Sequence, residues 1–162
     1  MSELKEKGFK HFRPDIPKHW KDLLKDKNYQ QLDKEAGHLI SKDGSLYSYI
    51  KNQFPHYFEE SQDGFEYIIS VRKGPQDIDE DGIWHDDGSR LLAFSLSLNL
   101  EPTAIEGGEL LFRPRHSKEN IYSLETRPFG MLTVFATGQE DWEHKTSLVR
   151  VGTRVIMAGW LT

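Results

Sequence analysis

The stretch Trp84-His85-Asp86-Asp87-Gly88 sets an imidazole and a carboxylate two positions apart, at His85 and Asp87. On an extended strand, side chains two apart share a face. A neutral imidazole nitrogen beside a carboxylate oxygen is two-thirds of a metal site. The third candidate ligand is His144, much further along the chain. Two histidines and one carboxylate, with the remaining positions open, suit a non-haem Fe(II) ion. Asp86 alternates to the opposite face and His116 sits in a polar stretch, so both are weaker ligand candidates. Beyond His144, Arg154 heads the run Arg154-Val-Ile-Met-Ala-Gly-Trp160. Alternation puts Arg154, Ile156, Ala158 and Trp160 on one face. An arginine facing inward beside isoleucine and tryptophan is costly unless an anion meets it. A dicarboxylate bound at the metal would bring that anion. The plainer role for Arg154 is a strand-end ion pair with Glu143, and for Trp160 a pocket wall.

In this order, His85-x-Asp87, Gly107-Gly108-Glu109-Leu110, His144 and Arg154 resemble the Fe(II)- and 2-oxoglutarate-dependent dioxygenases, nearest to their prolyl-4-hydroxylase-like branch. The resemblance runs from about Gly64 to the C-terminus. It implies that His85, Asp87 and His144 are the catalytic metal ligands. It further implies 2-oxoglutarate as co-substrate, its far carboxylate held by Arg154 with a second contact from Ser97. O2 would be the oxidant and ascorbate the supporting reductant. The implied reaction is hydroxylation of a small-molecule, amino-acid or prolyl/peptidyl substrate, with release of succinate and CO2. Two departures concern the substrate pocket. Arg72-Lys73-Gly74 stands where many relatives carry an aromatic residue before the glycine, and Thr146 stands where an apolar residue usually follows the distal histidine. Should Arg154 not hold the carboxylate, Arg72 and Arg90 are the next cations to consider. A zinc hydrolase built on the same three ligands would need a nearby general base and would leave Arg154 idle. A non-catalytic cupin-like binding protein would be expected to carry a His-x-His cluster, which is absent.

These residues must be positioned by strands. From Phe65 the apolar period is extended: Phe65–Val71 is a strand, and Arg90–Leu100 alternates Leu92, Phe94, Leu96, Leu98 and Leu100 against Ala93, Ser95, Ser97 and Asn99. The apolar face should pack on helices and the small polar face should line a cavity. Glu109–Phe112, Ile121–Leu124, Met131–Phe135 and Trp142–His144 supply further strands, and Ser147–Val151 with Arg154–Leu161 should form a hairpin through Gly152-Thr153. The segment before Gly64 is helical in period. Trp20, Leu23 and Leu24 share a face after Pro17, Leu32, Ala36, Leu39 and Ile40 share another, and Pro55 interrupts a third run from Leu46 to Phe58. Two or three short helices are expected, with residues 1–15 as a loose arm pinned by Phe9 and Phe12. His11, His19, His38 and His56 have no partner at ligand spacing and read as surface or packing residues. The expectation is a mostly β chain of seven or eight strands with supporting N-terminal helices. The fold would be a double-stranded β-helix (jelly-roll) barrel in one domain, 1–162, comprising a helical support segment 1–60 and a catalytic core 61–162.

The loop Asp77-x-Asp79-x-Asp81-Gly82 imitates the start of a calcium loop, but its twelfth position is Gly88 rather than glutamate. It reads instead as an acidic rim of the pocket, biasing the entrance towards cationic or zwitterionic substrates. A second candidate lid is the polar stretch Arg113–Pro128. The net charge of −5 argues against a nucleic-acid or anionic-membrane partner. The absence of cysteine removes disulfides, zinc–thiolate sites and thiol nucleophiles, and fits a cytoplasmic protein. No apolar run is long enough to span a membrane.

Overall fold

The computed structural model describes residues 3–80 and 82–162. Asp81 of the acidic loop and Met1 and Ser2 of the N-terminal arm lie outside the described residues. In chain order the regular elements are α1 (Glu3–Lys7), β1 (Phe9–Phe12), α2 (Trp20–Lys25), α3 (Tyr29–Ile40), α4 (Ser45–Gln53), α5 (Pro55–Glu60), β2 (Phe65–Lys73), β3 (Leu92–Ser97), β4 (Glu106–Gly107), β5 (Leu110–Pro114), β6 (Tyr122–Leu124), β7 (Leu132–Phe135), β8 (Trp142–Thr146), β9 (Val149–Val151) and β10 (Thr153–Leu161). The fold is mostly β, a jelly roll with helices on one side. The described residues hold more helices and strands than the periodicity alone suggests, because several elements are only two to five residues long.

The helices follow local rules. Asn28 caps α3 by accepting from the Gln31 amide at 3.3 Å, and Leu32, Ala36 and Ile40 form its buried stripe. Pro55 opens α5, where its missing N–H costs nothing. Their apolar faces join one core with Leu92, Phe94, Leu96 and Leu98. Phe65 links the layers, meeting Tyr47 and Phe58 from the helices and Phe94 from β3.

The main sheet has the order β1-β7-β3-β10-β2, with antiparallel pairing throughout. A second layer consists of β6-β5-β8 and the pair β4-β9. The two layers meet through aromatic side chains. Phe9 stacks on Phe112 at 4.9 Å, and Phe135 lies 5.1 Å from the same ring. The register lays out the inner face of the main sheet in rows. Trp160 aligns with Ala93, Ala158 with Ile68 and Ser95, Ile156 with Ser70 and Ser97, and Arg154 with Arg72. The small polar side chains expected to face a cavity do so.

Three expectations are corrected. The N-terminal arm is not loose: Leu4 is fully buried in α1, and β1 pairs with β7 over four residues. Phe9 and His11 face the inner layer, while Phe12 packs on Tyr49 and Phe54 of the helices. Four residues beside a charged run are too few to show a period. The hairpin expected between Ser147–Val151 and Arg154–Leu161 does not form; β9 pairs with β4, and β10 takes β2 and β3. Both edges of β10 are occupied, so β9 must cross to the other layer, and Gly152 makes that turn at φ 81°. Finally, the His85–Asp87 segment is not a strand. His85 forms one isolated bridge to His144, and Asp87 sits at φ 62°.

Candidate metal centre

His144 stands on β8, which β5 holds in register through the Phe112–His144 pair. Paired backbone bonds then fix His85 beside it, the His85 amide to the His144 carbonyl at 3.0 Å and the reverse at 2.9 Å. The rings lie 4.3 Å apart, and Phe135 covers His144 at 4.8 Å. Asp87 reaches the pair because its backbone turns left-handed, a conformation that aspartate tolerates better than most residues. The two side chains therefore converge through a turn and not through strand alternation. Asp86 anchors that turn. Its Oδ1 accepts from the Gly88 amide at 2.9 Å, its carbonyl accepts from the Gly138 amide at 2.7 Å, and its Oδ2 pairs with Arg115. It points away from the site, as its sequence position suggests. A side chain at Gly138 would run into the Asp86 carboxylate, which explains that glycine.

His85 Nε2 lies 3.4 Å from Asp87 Oδ1, and His144 Nε2 lies 3.4 Å from Asp87 Oδ2. One ligand atom from each residue falls within 4.8 Å of the others, and this is the one such cluster among the described residues. Two observations test whether a cation fits. His85 Nδ1 donates to the Ile83 carbonyl at 2.8 Å, which leaves its Nε2 lone pair facing Asp87. Asp87 Oδ2 and His144 Nδ1 are buried without a hydrogen-bond partner. Buried polar atoms normally find a partner, so the orphaned Asp87 Oδ2, turned towards the His144 Nε2, suits a metal ion. Burial, reinforced by His85, pushes His144 down to about 3. Burial pushes the Asp87 carboxyl up, against the pull of His85, a hydrogen bond from Trp160 and Arg90. Each group is driven towards its neutral form, and a divalent cation supplies the charge that would restore the carboxylate.

The triad opens on a cavity of about 130 Å³ whose lining includes Ile68, Ser70, Arg72, Thr146, Arg154, Ile156, Ala158 and Trp160. The alternating face read from β10 is thus one wall. Trp160 marks the metal end, in register through Ala93 with the Phe135 that covers His144, and the Arg90 guanidinium lies 5.4 Å from its ring. Arg154 marks the other end, 5 % exposed. Its stem lies against Gly108, where an added Cβ would come within 2.7 Å of Arg154 Cδ; this accounts for the second glycine of Gly107-Gly108. Burial pushes the Arg154 guanidinium down to about 10, the Arg72 charge adds to this, and Glu109 opposes it. Glu109 itself bonds to Ser147 and faces Arg150 at 4.0 Å. The ion pair of Arg154 with Glu143 does not form, because Glu143 is held by Arg113 at 2.8 Å.

The structure therefore brings His85, His144 and Arg154 to one cavity, with Asp87 against both histidines. It does not bring Ser97 there. Ser97 lines a small adjoining void, donates its proton to the Arg127 carbonyl and accepts from Asn99 at 2.9 Å. His116 lies away from the triad, 3.7 Å from Asp141. His11 bonds to Thr133 at 3.0 Å and His19 to Glu35 at 2.6 Å. Asp77 and Asp79 are exposed and line no part of the cavity, so the acidic rim is corrected: the charges facing inward at the far end are positive. The residue that sequence reasoning undervalued is Arg72. It shares parity with Ile68 and Ser70 on β2, a signal present in the sequence but usable only once Arg72 is known to lie opposite Arg154.

Fold and site together are a jelly roll with a His-Asp-His cluster able to hold a metal ion and two arginines in the wall of the same cavity. Residues 72–162 match the 2OG-Fe(II) oxygenase superfamily, and the chain belongs to that family. It is a dioxygenase whose cofactors are Fe(II) and 2-oxoglutarate. A search of curated protein sequences gave no significant match. Among solved structures, a Pseudomonas putida prolyl-4-hydroxylase is similar with TM-score 0.66 at 16% identity, covering 98% of this chain and 92% of that one. A viral collagen prolyl hydroxylase from Paramecium Bursaria Chlorella virus-1 gives 0.57 at 16% identity, over 99% of this chain and 95% of its own. A Trichoplax adhaerens prolyl hydroxylase, solved with a hypoxia inducible factor oxygen degradation domain peptide, gives 0.60 at 12% identity, over 98% and 85%. At such identities the likeness concerns the fold. No helix among the described residues is long and apolar enough to cross a membrane.

Proposed function

We propose that His85, Asp87 and His144 hold Fe(II), that Arg154 holds the far carboxylate of 2-oxoglutarate, and that the chain hydroxylates a substrate with release of succinate and CO2. The bound metal and co-substrate supply the oxidising chemistry. The protein's own residues orient and shield. The Ile83 carbonyl fixes the His85 tautomer, the Asp86–Arg115 pair holds the turn that presents Asp87, and Phe135 and Trp160 exclude water from the ligand atoms. Arg154 offers a planar fork that matches a carboxylate. The observation that carries this reading is the convergence of His85 Nε2 and His144 Nε2 on the Asp87 carboxylate, whose Oδ2 is buried without a partner, with both histidines lining one cavity with a buried arginine free of any acidic partner among the described residues. A zinc hydrolase or a binding module would have no use for that arginine.

The substrate side of the proposal favours a prolyl residue in a peptide, since proteins of the same fold carry that activity in their names. Small-molecule and amino-acid substrates are the competing class. Arg72 and Thr146, both in the cavity wall, distinguish this pocket from the family pattern. A cytoplasmic location belongs to the same proposal. The test is succinate formation from 2-oxoglutarate under air, with Fe(II) and ascorbate, against proline-rich peptides and free amino acids. Peptide-stimulated succinate that disappears in His144→Ala is the expected result. Stimulation by free amino acids alone would move the assignment to small molecules, and no 2-oxoglutarate turnover at all would remove it.

A further inference from the structure

Two arginines lie directly opposite each other on adjacent strands, Arg154 on β10 and Arg72 on β2. Side chains so paired share a face and sit about 5 Å apart at Cβ, and like charges there repel. Both line the cavity that holds the histidines. Arg72 is partly buried, and its Nη1 is shut off from solvent without a hydrogen-bond partner. Among the described residues, no carboxylate lies within ion-pair distance of either one. The other cation near this wall, Arg90, has its charge met by Glu66 at 2.9 Å, although its Nε has no partner. A fold that keeps two guanidinium groups side by side and unneutralised has left room for an anion.

The register also says which anion. Along β10 the inward positions run Arg154, Ile156, Ala158, Trp160, and along β2 their partners run Arg72, Ser70, Ile68, Glu66. Trp160 aligns with Ala93, and Ala93 with Phe135, whose ring covers His144 at 4.8 Å, so the metal lies at that end. Both arginines stand at the opposite end, level with one another. A ligand group reaching from the metal to Arg154 therefore reaches Arg72 as well. We propose that Arg72 is a second anchor for the far carboxylate of 2-oxoglutarate, completing a two-arginine clamp. The inference rests on the reading of Arg154 given above. One guanidinium fork can donate to both carboxylate oxygens, a second guanidinium beside it donates to the acceptor directions that remain, and the carboxylate in turn relieves the mutual repulsion of the two arginines. Ser97, whose proton is committed to Arg127, is thereby replaced as the second contact.

The experiment is a calorimetric titration of Mn(II)-loaded protein with two acids. One is 2-oxoglutarate; the other is 2-oxovalerate, which keeps the metal-binding end but has a methyl in place of the far carboxylate. Wild type, Arg72→Ala, Arg72→Lys, Arg154→Ala and the double alanine variant are compared, with Mn(II) affinity measured separately. Arg72→Ala is expected to weaken 2-oxoglutarate by about tenfold to a hundredfold, with 2-oxovalerate and Mn(II) unchanged. Arg72→Lys should recover part of the loss, and the double variant should hold the two acids equally. Should Arg72→Ala fail to fold, Arg72→Lys and Arg72→Gln carry the same comparison. Unchanged or tighter 2-oxoglutarate binding in Arg72→Ala, with Arg154→Ala impaired, overturns the clamp and leaves the Arg154 reading intact. Equal weakening of both acids assigns Arg72 a structural role and also overturns it. A wild type that does not distinguish the two acids removes the Arg154 reading and the clamp together.

Discussion

At the scale of single residues, Asp87 carries the tension of the site: its carboxylate is buried, one oxygen has no partner, and its backbone is left-handed. Asparagine tolerates that backbone well, so Asp87→Asn isolates the charge. We expect this variant to lose Mn(II) binding by more than about a hundredfold yet to melt no lower than wild type without metal. It removes an uncompensated group rather than a bond. A normal manganese affinity in Asp87→Asn would sink the triad. Asp86→Ala should do the reverse, keeping much of the metal affinity while losing up to about 1 kcal/mol of stability, since its pair with Arg115 is half exposed. The histidine gives the pH dependence. His144 is held neutral in the fold down to about 3, against 6.5 for an ordinary imidazole. Between these values the unfolded chain takes a proton that the folded chain refuses, so stability falls as pH falls through that window. His11, lowered by burial and by Arg127, acts in the same direction. Asp87, raised by burial, works against both. Metal-free protein in chelator should therefore lose up to about 1.4 kcal/mol per pH unit below pH ~6 for the His144 contribution. Thermal melts of His144→Gln should show a flatter pH slope; an unchanged slope would mean that other groups govern acid unfolding. The ligand residue types and their order were legible from the sequence. The geometry joining them was not, because it depends on a left-handed turn that strand alternation does not describe.

The elements divide between those whose period is long enough to read and those defined only by a partner. β3 and β10 alternate over enough residues to show which face is polar, and both faces point where the pattern says. β1, β4 and β9 have two to four residues each and acquire their strand character from the edge they pair with. For the same reason the β9–β10 hairpin was plausible from adjacency and turn residues, yet the occupied edges of β10 exclude it. The underrated N-terminal arm gives a sharp test. Gly8 lies between α1 and β1 at φ 74°, and an added Cβ there would stand 2.5 Å from the Trp142 ring. Its carbonyl accepts from the Ala136 amide at 2.7 Å, so the backbone cannot move off without losing the start of the β1–β7 pairing. Gly8→Ala should therefore cost about 2 kcal/mol or more, read as a lower denaturant midpoint. Phe9→Ala, which removes the stack on Phe112, should cost up to about 3 kcal/mol. If both variants unfolded like wild type, the arm would be the loose segment that its charge suggests.

At the scale of the whole molecule, net charge and local charge tell different stories. The chain carries −5 overall, and the sequence concentrates acidic residues between Asp77 and Asp87. Yet Asp77 and Asp79 are exposed outside the cavity, Asp86 is tied to Arg115, and the cavity beyond the metal ligands is lined by Arg72 and Arg154. A sequence shows where charges are concentrated; only the sheet register shows which of them face inward. The cavity thus has the His-Asp-His cluster at one end and two arginines at the other, and on the proposed function a cation binds the first and an anion the second. Ligands that bind only the folded state raise its stability by mass action, by about 2.7 kcal/mol at a hundred times the dissociation constant. For a chain of this length, each kcal/mol shifts the midpoint by roughly 2–4 °C. Mn(II) at saturation should therefore raise the melting temperature by about 5–10 °C. 2-Oxoglutarate should add a further rise only when the metal is present, because its near end has no other holder. Glutarate, which keeps both carboxylates but lacks the 2-oxo group, should add less. Differential scanning calorimetry in the four combinations of metal and co-substrate measures this directly. A shift from 2-oxoglutarate in the absence of metal, as large as with it, would show that the arginine end binds on its own and that the two ends do not form one site.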